Sequence, residues 1–315
     1  MASENLTLTP VFVIGCPRSG TTMLASQLAA TQQTLALPEM PWVSWLVDTP
    51  VNDEAAGRAL FRRLQSNFFF RALRIPYDWN QFAEALQSVD RNQRVFSIIR
   101  CWANCHQIDL AAKRIWVEHA PIQRERVYSL VQHFPDARFI HIVRDPRAVY
   151  ASMHRMAMWN TYNPVAFAKF WANAVSRCAL AASEMPERVT EVRYEDYVTG
   201  PEKELSRLAG FAGLSLETQM LEGGAVPLPR FTRAQHQLTS GPAVTDRLQS
   251  WKKEIKPREA EAIAGYCHPW MVKYQYARAE DRFREASRKE RQLWALRQAV
   301  LTPYSKLMRL VQQRA

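Results

Sequence analysis

The run Val11-Phe12-Val13-Ile14-Gly15-Cys16-Pro17-Arg18-Ser19-Gly20-Thr21-Thr22 limits what this chain can fold into more than any other stretch. Its apolar, β-branched half, Val11 to Gly15, reads as a short buried strand, and Thr21 to Thr31 continues as a helix. The loop between them is bounded by Gly15 and Gly20, which permit a turn tight enough to wrap a phosphate. The N–H groups of Ser19 to Thr22 open the helix, whose positive dipole end faces an anion. A triphosphate loop reads G-x-x-x-x-G-K-[ST] and uses its lysine to reach the β- and γ-phosphates. Here Thr21 takes the lysine place and the cation, Arg18, lies inside the loop. That cradle suits a mononucleotide with a modified 5′-phosphate.

A second segment has the same grammar. Arg138 to Val143 is a clear strand, Arg144 stands at its end, Asp145 is placed to cap the next helix, and Pro146 suits its first turn. Ser152 lies eight residues past Arg144, about two helical turns on, so guanidinium and hydroxyl can close on one anion. Further strands fit Arg114 to Glu118 and Arg188 to Val192. Helical patterns carry Val95, Phe96, Ile98, Ile99 and Trp102, then Val127, Leu130, Val131 and Phe134. Strand and helix alternate, which implies a parallel sheet covered by helices, with ligands beyond the carboxyl ends of the strands. Residues 53–110 are too long for one crossover and hold several helices. Their aromatics, Phe68-Phe69-Phe70 and Tyr77-Asp78-Trp79, either wall a pocket or fill the core.

The P-R-S-G-T-T core resembles the 5′-phosphosulfate loop of sulfotransferases that use 3′-phosphoadenosine 5′-phosphosulfate (PAPS). Later segments extend the resemblance over most of residues 11–275, most closely to the bacterial enzymes and the related tyrosylprotein sulfotransferases. The resemblance implies a three-layer α/β, P-loop NTPase-like fold with a central parallel sheet. It divides the chain into a flexible N-terminus (1–10), a sulfotransferase domain (11–280) with its helical insertion at about 53–110, and a basic C-terminal helix (281–315). PAPS is the implied co-substrate, with no metal. Its 5′-phosphosulfate falls to Arg18, Ser19, Gly20, Thr21 and Thr22, and its 3′-phosphate to Arg144 and Ser152. Tyr194, in an R-Y-E-D element, helps hold the nucleotide. Ser240 and Arg247 stand in the late loop that closes over the 3′-phosphate, where the related enzymes carry lysine before the tryptophan and this chain has Ser250 before Trp251.

The resemblance also implies the chemistry. Glu39 lies 21 residues after Arg18, where tyrosylprotein sulfotransferases carry their catalytic glutamate, and a positioned base takes the acceptor hydroxyl's proton as the S–O bond breaks. Trp42 and Trp45 either raise its pKa as an apolar wall or belong to the core. His119 occupies the place of a lysine and either donates to the developing charge or serves as the base. Arg18 neutralises charge on the bridging oxygen. The implied acceptor bears a hydroxyl, on a carbohydrate, a lipid-linked sugar or a small molecule.

Composition sets the remaining bounds. With 315 residues and 47% apolar content the chain can bury a large core. Its five cysteines do not make a disulfide framework, and Cys101 and Cys105 beside His106 read as core thiols rather than zinc ligands. No apolar run approaches the roughly 18 to 20 residues that cross a bilayer, and the expectation is a cytoplasmic chain that meets a membrane only peripherally. Of a net charge of +11, residues 281–315 carry +6, and Leu293, Leu296, Val300, Tyr304, Leu307 and Val311 line one face of the helix expected over Phe283 to Arg314. That face packs on the domain or a second subunit, or else lies on an anionic membrane. Two rival functions fit less well. A P-loop nucleotide kinase needs the loop lysine and a Mg²⁺ carboxylate, and a basic nucleic-acid-binding protein needs basic and aromatic residues on a reader motif.

Overall fold

The structure, a computed structural model, describes residues 8–156, 159–228 and 248–314. Five parallel strands form one sheet: β1 (Thr9–Gly15), β2 (Thr34–Ala36), β3 (Ile115–Glu118), β4 (Arg138–Val143) and β5 (Val189–Arg193), in the order β2-β3-β1-β4-β5. β1 is central and pairs with β3 from Thr9↔Ile115 to Phe12↔Glu118, and with β4 from Val11↔Arg138 to Gly15↔Ile142.

The fold is three layers because both faces of the sheet are buried, which is why its strands read as continuous apolar runs. Successive side chains of β1 point to opposite faces. Phe12 and Ile14 join Trp116, Phe139, Trp42, Phe82 and Phe96 in one core, while Val11 and Val13 join Leu24, Leu28, Ile140, Ile142, Tyr197 and Leu208 in the other. Each such large side chain removed from water contributes about 1.5–3 kcal/mol. A third cluster packs the helix Pro164–Glu184 against Pro257–Lys273, around Trp171 and Ile263.

The predicted α/β, P-loop NTPase-like architecture is present, with differences at its edges. β1 starts at Thr9, inside the segment expected to be a flexible N-terminus, and the helix after the phosphate loop ends at Leu28. β2 was not foreseen. Four helices occupy the long insertion, at Glu54–Ser66, Phe68–Ala72, Trp79–Leu86 and Gln93–Cys105. Phe70, Tyr77 and Trp42 are buried in the core, whereas Phe68, Phe69, Trp79 and Trp45 are partly exposed. Cys105 is exposed and so is not a core thiol. His106 instead stacks on Trp102, with ring centroids 4.2 Å apart. The C-terminal helix starts at Arg288, five residues later than expected.

Candidate active site

Each strand delivers one functional segment at its carboxyl end, and the crevice opens where the connections after β1 and β4 diverge to opposite edges. After β1 the loop turns through Arg18, held at φ 69°, a left-handed conformation that a non-glycine residue adopts only under constraint. Gly20, at φ 105°, has two reasons to be glycine. A Cβ there meets the Tyr194 ring at 2.8 Å, and the left-handed turn directs the chain into the helix Thr21–Leu28. That helix has no acidic residue in its first turn, so nothing competes for its dipole.

Arginines and a tyrosine tie the loop to β4 and β5. Arg144 donates to the Arg18 carbonyl at 3.1 Å and lies over the Tyr194 ring at 4.2 Å. Arg18 donates from Nε to the Ser152 hydroxyl at 3.3 Å. The Arg144 backbone is fixed in turn by the Trp171 indole, which donates to its carbonyl at 3.2 Å. Asp145 caps the helix Pro146–His154 as expected, accepting from Arg147 N at 2.8 Å. Burial pushes the Arg18 pKa down to about 10, and the neighbouring Arg144 and Arg155 push it the same way. A cluster of like charges brought together in this way is a seat for an anion. Ser19 Oγ and Arg144 Nε are buried polar atoms without a hydrogen-bond partner among the described residues.

Glu195 and Asp196, which follow Tyr194 in the R-Y-E-D element, have structural partners. Glu195 accepts from Asp145 N at 3.2 Å and from the Tyr276 hydroxyl at 2.6 Å, and Asp196 pairs with Arg193 at 3.0 Å. Among the described residues no group of three or more His, Cys, Asp or Glu side chains is arranged to hold a metal ion.

On the other side of the crevice, β2 and β3 bring Glu39 and His119 together, with His119 Nδ1 3.8 Å from Glu39 Oε1. His119 is buried, while Glu39 leaves 20% of its side chain exposed. Burial raises the Glu39 pKa to about 7 against the opposing pull of Arg18. A carboxyl group titrating there is matched to accepting a proton near neutrality.

Sequence reading missed three residues of this site. Glu118, the last residue of β3, is fully buried. One of its oxygens accepts from Met40 N at 3.2 Å and from Ala120 N at 2.9 Å, so a single carboxyl oxygen grips the residue after Glu39 and the residue after His119. Gln123 holds Met40 from the other side, donating to its carbonyl at 3.0 Å. Burial raises the Glu118 pKa to about 8, the Met40 and Ala120 N–H groups oppose the rise, and nearby Glu39 adds to it. The third, Arg155, lies one helical turn after Ser152 and adds to the positive field at Arg18. The available signals were its spacing from Ser152 and an ionisable residue closing a strand of otherwise apolar character. Ser240 and Arg247 lie outside the described residues.

Comparisons with known proteins bear on this geometry. The profile of the Sulfotransferase family matches residues 10–218. A putative protein-tyrosine sulfotransferase of Caenorhabditis briggsae is 26% identical over 223 residues, 67% of this chain and 68% of that protein. The nodulation protein NoeE of Sinorhizobium fredii is 25% identical over 280 residues, 80% of this chain and 62% of its own length. The chain thus spans about two thirds of these relatives. Among solved structures, the sulfotransferase domain of the Synechococcus PCC 7002 olefin synthase aligns with a TM-score of 0.56 at 19% identity, over 84% of this chain and 96% of that one. The sulfotransferase domain from the curacin biosynthetic pathway aligns at 0.52 and 20% identity, covering 83% and 97%.

Proposed function

The chain belongs to the sulfotransferase family, and from that premise we propose that it moves the sulfuryl group of PAPS to a hydroxyl acceptor, with Glu39 as the base. The observation that carries the reading is the pairing of Glu39, its pKa raised to about 7, with a buried imidazole, across the crevice from a cationic loop.

The residues fit such a donor. In our assignment the 5′-phosphosulfate lies on the N–H groups of Ser19 to Thr22, the 3′-phosphate between Arg144 and Ser152, and the adenosine beside Tyr194. The buried Ser19 hydroxyl and Arg144 Nε, each without a partner among the described residues, support it. When bound, PAPS supplies the activated sulfuryl group and a bisphosphate leaving group. Arg18 has a guanidinium that burial and two neighbouring arginines have already primed for an anion, and it neutralises charge at the bridging oxygen. Glu39 takes the acceptor proton as the oxygen attacks sulfur in line. His119, with Nδ1 3.8 Å from Glu39, turns a ring N–H toward the developing charge.

Thermal shift tests the nucleotide class. Adenosine 3′,5′-bisphosphate should raise the melting temperature in a concentration-dependent way, and ATP with Mg²⁺ should not. Equal stabilisation by the two nucleotides sinks the reading in favour of a kinase. Stabilisation by neither, with binding to an oligonucleotide, replaces it with a nucleic-acid protein. Radiolabelled PAPS offered with carbohydrate, lipid-linked and phenolic acceptors then identifies the hydroxyl.

A further inference from the structure

The C-terminal helix, Arg288–Arg314, does not pack by the face its sequence pattern selects. Leu293, Leu296, Val300, Tyr304, Leu307 and Val311 are each half or more exposed. A largely polar edge joins the helix to the domain instead. Gln298 accepts from Tyr162 N at 2.9 Å and donates to the Asn160 carbonyl at 2.7 Å, and Thr302 donates to the Asn160 side chain at 3.1 Å. At the centre of that edge is Arg297, whose guanidinium has three partners. Nη1 pairs with Glu259 at 2.8 Å, Nε and Nη2 both donate to the Tyr162 carbonyl, the first at 2.7 Å, and Nη2 also donates to the Tyr150 hydroxyl at 3.2 Å. Glu259 leaves 4% of its side chain exposed, and Tyr150 is fully buried.

Tyr150 stands on the helix that carries Ser152, but on its other side. Positions two apart in an α-helix are rotated by about 200°, so while Ser152 meets Arg18 at 3.3 Å, Tyr150 faces away from the phosphate loop and toward Arg297. His154, one turn on, extends that back face. Its ring stacks on Tyr150 with centroids 5.5 Å apart, and its Nδ1 lies 2.8 Å from the Thr161 carbonyl. The two ends of the helix are fixed by different means. The Asp145 cap and the Trp171 bond to the Arg144 carbonyl hold its start. Ser152 lies about 9 Å further along the axis at 1.5 Å per residue, where the contact between Tyr150 and Arg297 braces it.

We propose that Arg297 is a positioning residue for the donor nucleotide: by holding the Tyr150 hydroxyl and the Tyr162 carbonyl together, it sets the rotation of the helix Pro146–His154 and so the place of the Ser152 hydroxyl. The inference rests on the assignment of the 3′-phosphate to Arg144 and Ser152. A buried ion pair adds little net stability over apolar side chains of the same volume, because desolvation offsets the attraction. What the pair of Arg297 and Glu259 supplies is direction. Glu259 fixes one edge of a planar guanidinium, so the remaining N–H groups point along set lines at Tyr150 and Tyr162, which the single ammonium of a lysine on its flexible stem does not do.

The test separates the two nucleotides. Arg297→Met combined with Glu259→Leu removes the ion pair without leaving a buried charge, so the melting temperature should change little. Titration calorimetry should then show affinity for adenosine 3′,5′-bisphosphate lowered about five- to tenfold, with adenosine 5′-phosphate, which lacks the group assigned to Ser152, nearly unchanged. The KM for PAPS should rise by the same factor while kcat at saturation holds. Tyr150→Phe deletes only the hydroxyl and should give a smaller loss, about two- to threefold, with the same selectivity. A wild-type protein that prefers the bisphosphate, beside variants that keep the full preference, overturns the role of Arg297 and leaves the 3′ assignment standing. Equal losses for both nucleotides do the same, since Arg297 is then a general strut. A wild-type protein that binds the two nucleotides equally well overturns the 3′ assignment, and this inference with it.

Discussion

The two walls of the crevice are built on different principles. The β1/β4 wall is cationic and cross-braced: Arg144 holds the Arg18 carbonyl, Arg18 holds Ser152, and Tyr194 lies beneath Arg144 and against Gly20. The β2/β3 wall is acidic and set by burial, with Glu39 and Glu118 both raised in pKa and an imidazole between the strand ends. In the proposed reaction the first wall grips a multiply charged anion through several donors. In the same proposal the second wall takes a proton, which depends on where one carboxyl group sits and how deeply it is buried. The two should therefore fail differently, the first in affinity and the second in rate.

The sharpest way to break that comparison is Glu39→Gln, which keeps shape and cannot accept a proton. Turnover should fall by about 10²-fold or more, while calorimetric affinity for adenosine 3′,5′-bisphosphate holds. The wild-type rate should climb as pH passes about 7, the value to which burial raises Glu39, because the base must be ionised. Glu118 lies close enough to feel the Glu39 charge, so the limb belongs to that pair of carboxyl groups. Near-normal turnover in the variant, with the limb intact, transfers the base to His119 and leaves Glu39 as its orienting partner.

On the cationic wall the expected effect is smaller and of another kind. Arg144→Ala removes a charged donor from a buried cluster, and affinity for adenosine 3′,5′-bisphosphate should drop by about 2–3 kcal/mol, on the order of 50-fold. Adenosine 5′-phosphate, lacking the 3′ group, should lose far less. Equal losses for the two nucleotides take Arg144 off the 3′ position and make it a brace for the Arg18 loop, the role its bond to the Arg18 carbonyl already gives it.

The same contrast explains what was legible in the sequence. The cationic wall is written in consecutive residues, since a strand, a glycine turn and a helix N-terminus must follow one another to make a phosphate cradle, so 15–22 and 144–152 announced themselves. The acidic wall is assembled across distance. β2 is only three residues long, too short for any periodicity, yet it leads the chain to Glu39. Glu118 read as one more strand residue because nothing local marks the two amides that converge on it from Met40 and Ala120. The C-terminal helix was visible as amphipathic, but its docking edge is polar and a hydrophobic pattern does not see Arg297, Gln298 and Thr302.

Glu118 offers the finest test, because it touches neither anion nor acceptor in the proposed scheme and acts only through the segments it holds. Glu118→Ala removes the acceptor shared by Met40 N and Ala120 N, so Glu39 and His119 lose their common anchor. Turnover should fall about tenfold with nucleotide affinity unchanged, and Glu118→Gln should restore most of it, since an amide oxygen still accepts both bonds. Stability supplies a second readout. The folded protein keeps the Glu118 proton up to about pH 8, whereas the unfolded chain releases it near 4.5. The folded state thus binds more protons between those values, and this carboxyl group makes unfolding easier as pH rises through the window. Glu118→Gln should flatten that decline and unfold at higher denaturant than wild type at pH 8, by about 1 kcal/mol or more. If the glutamine variant keeps the wild-type slope of stability against pH, Glu118 is ionised throughout. The acidic wall then holds its geometry by charge, as the cationic wall does.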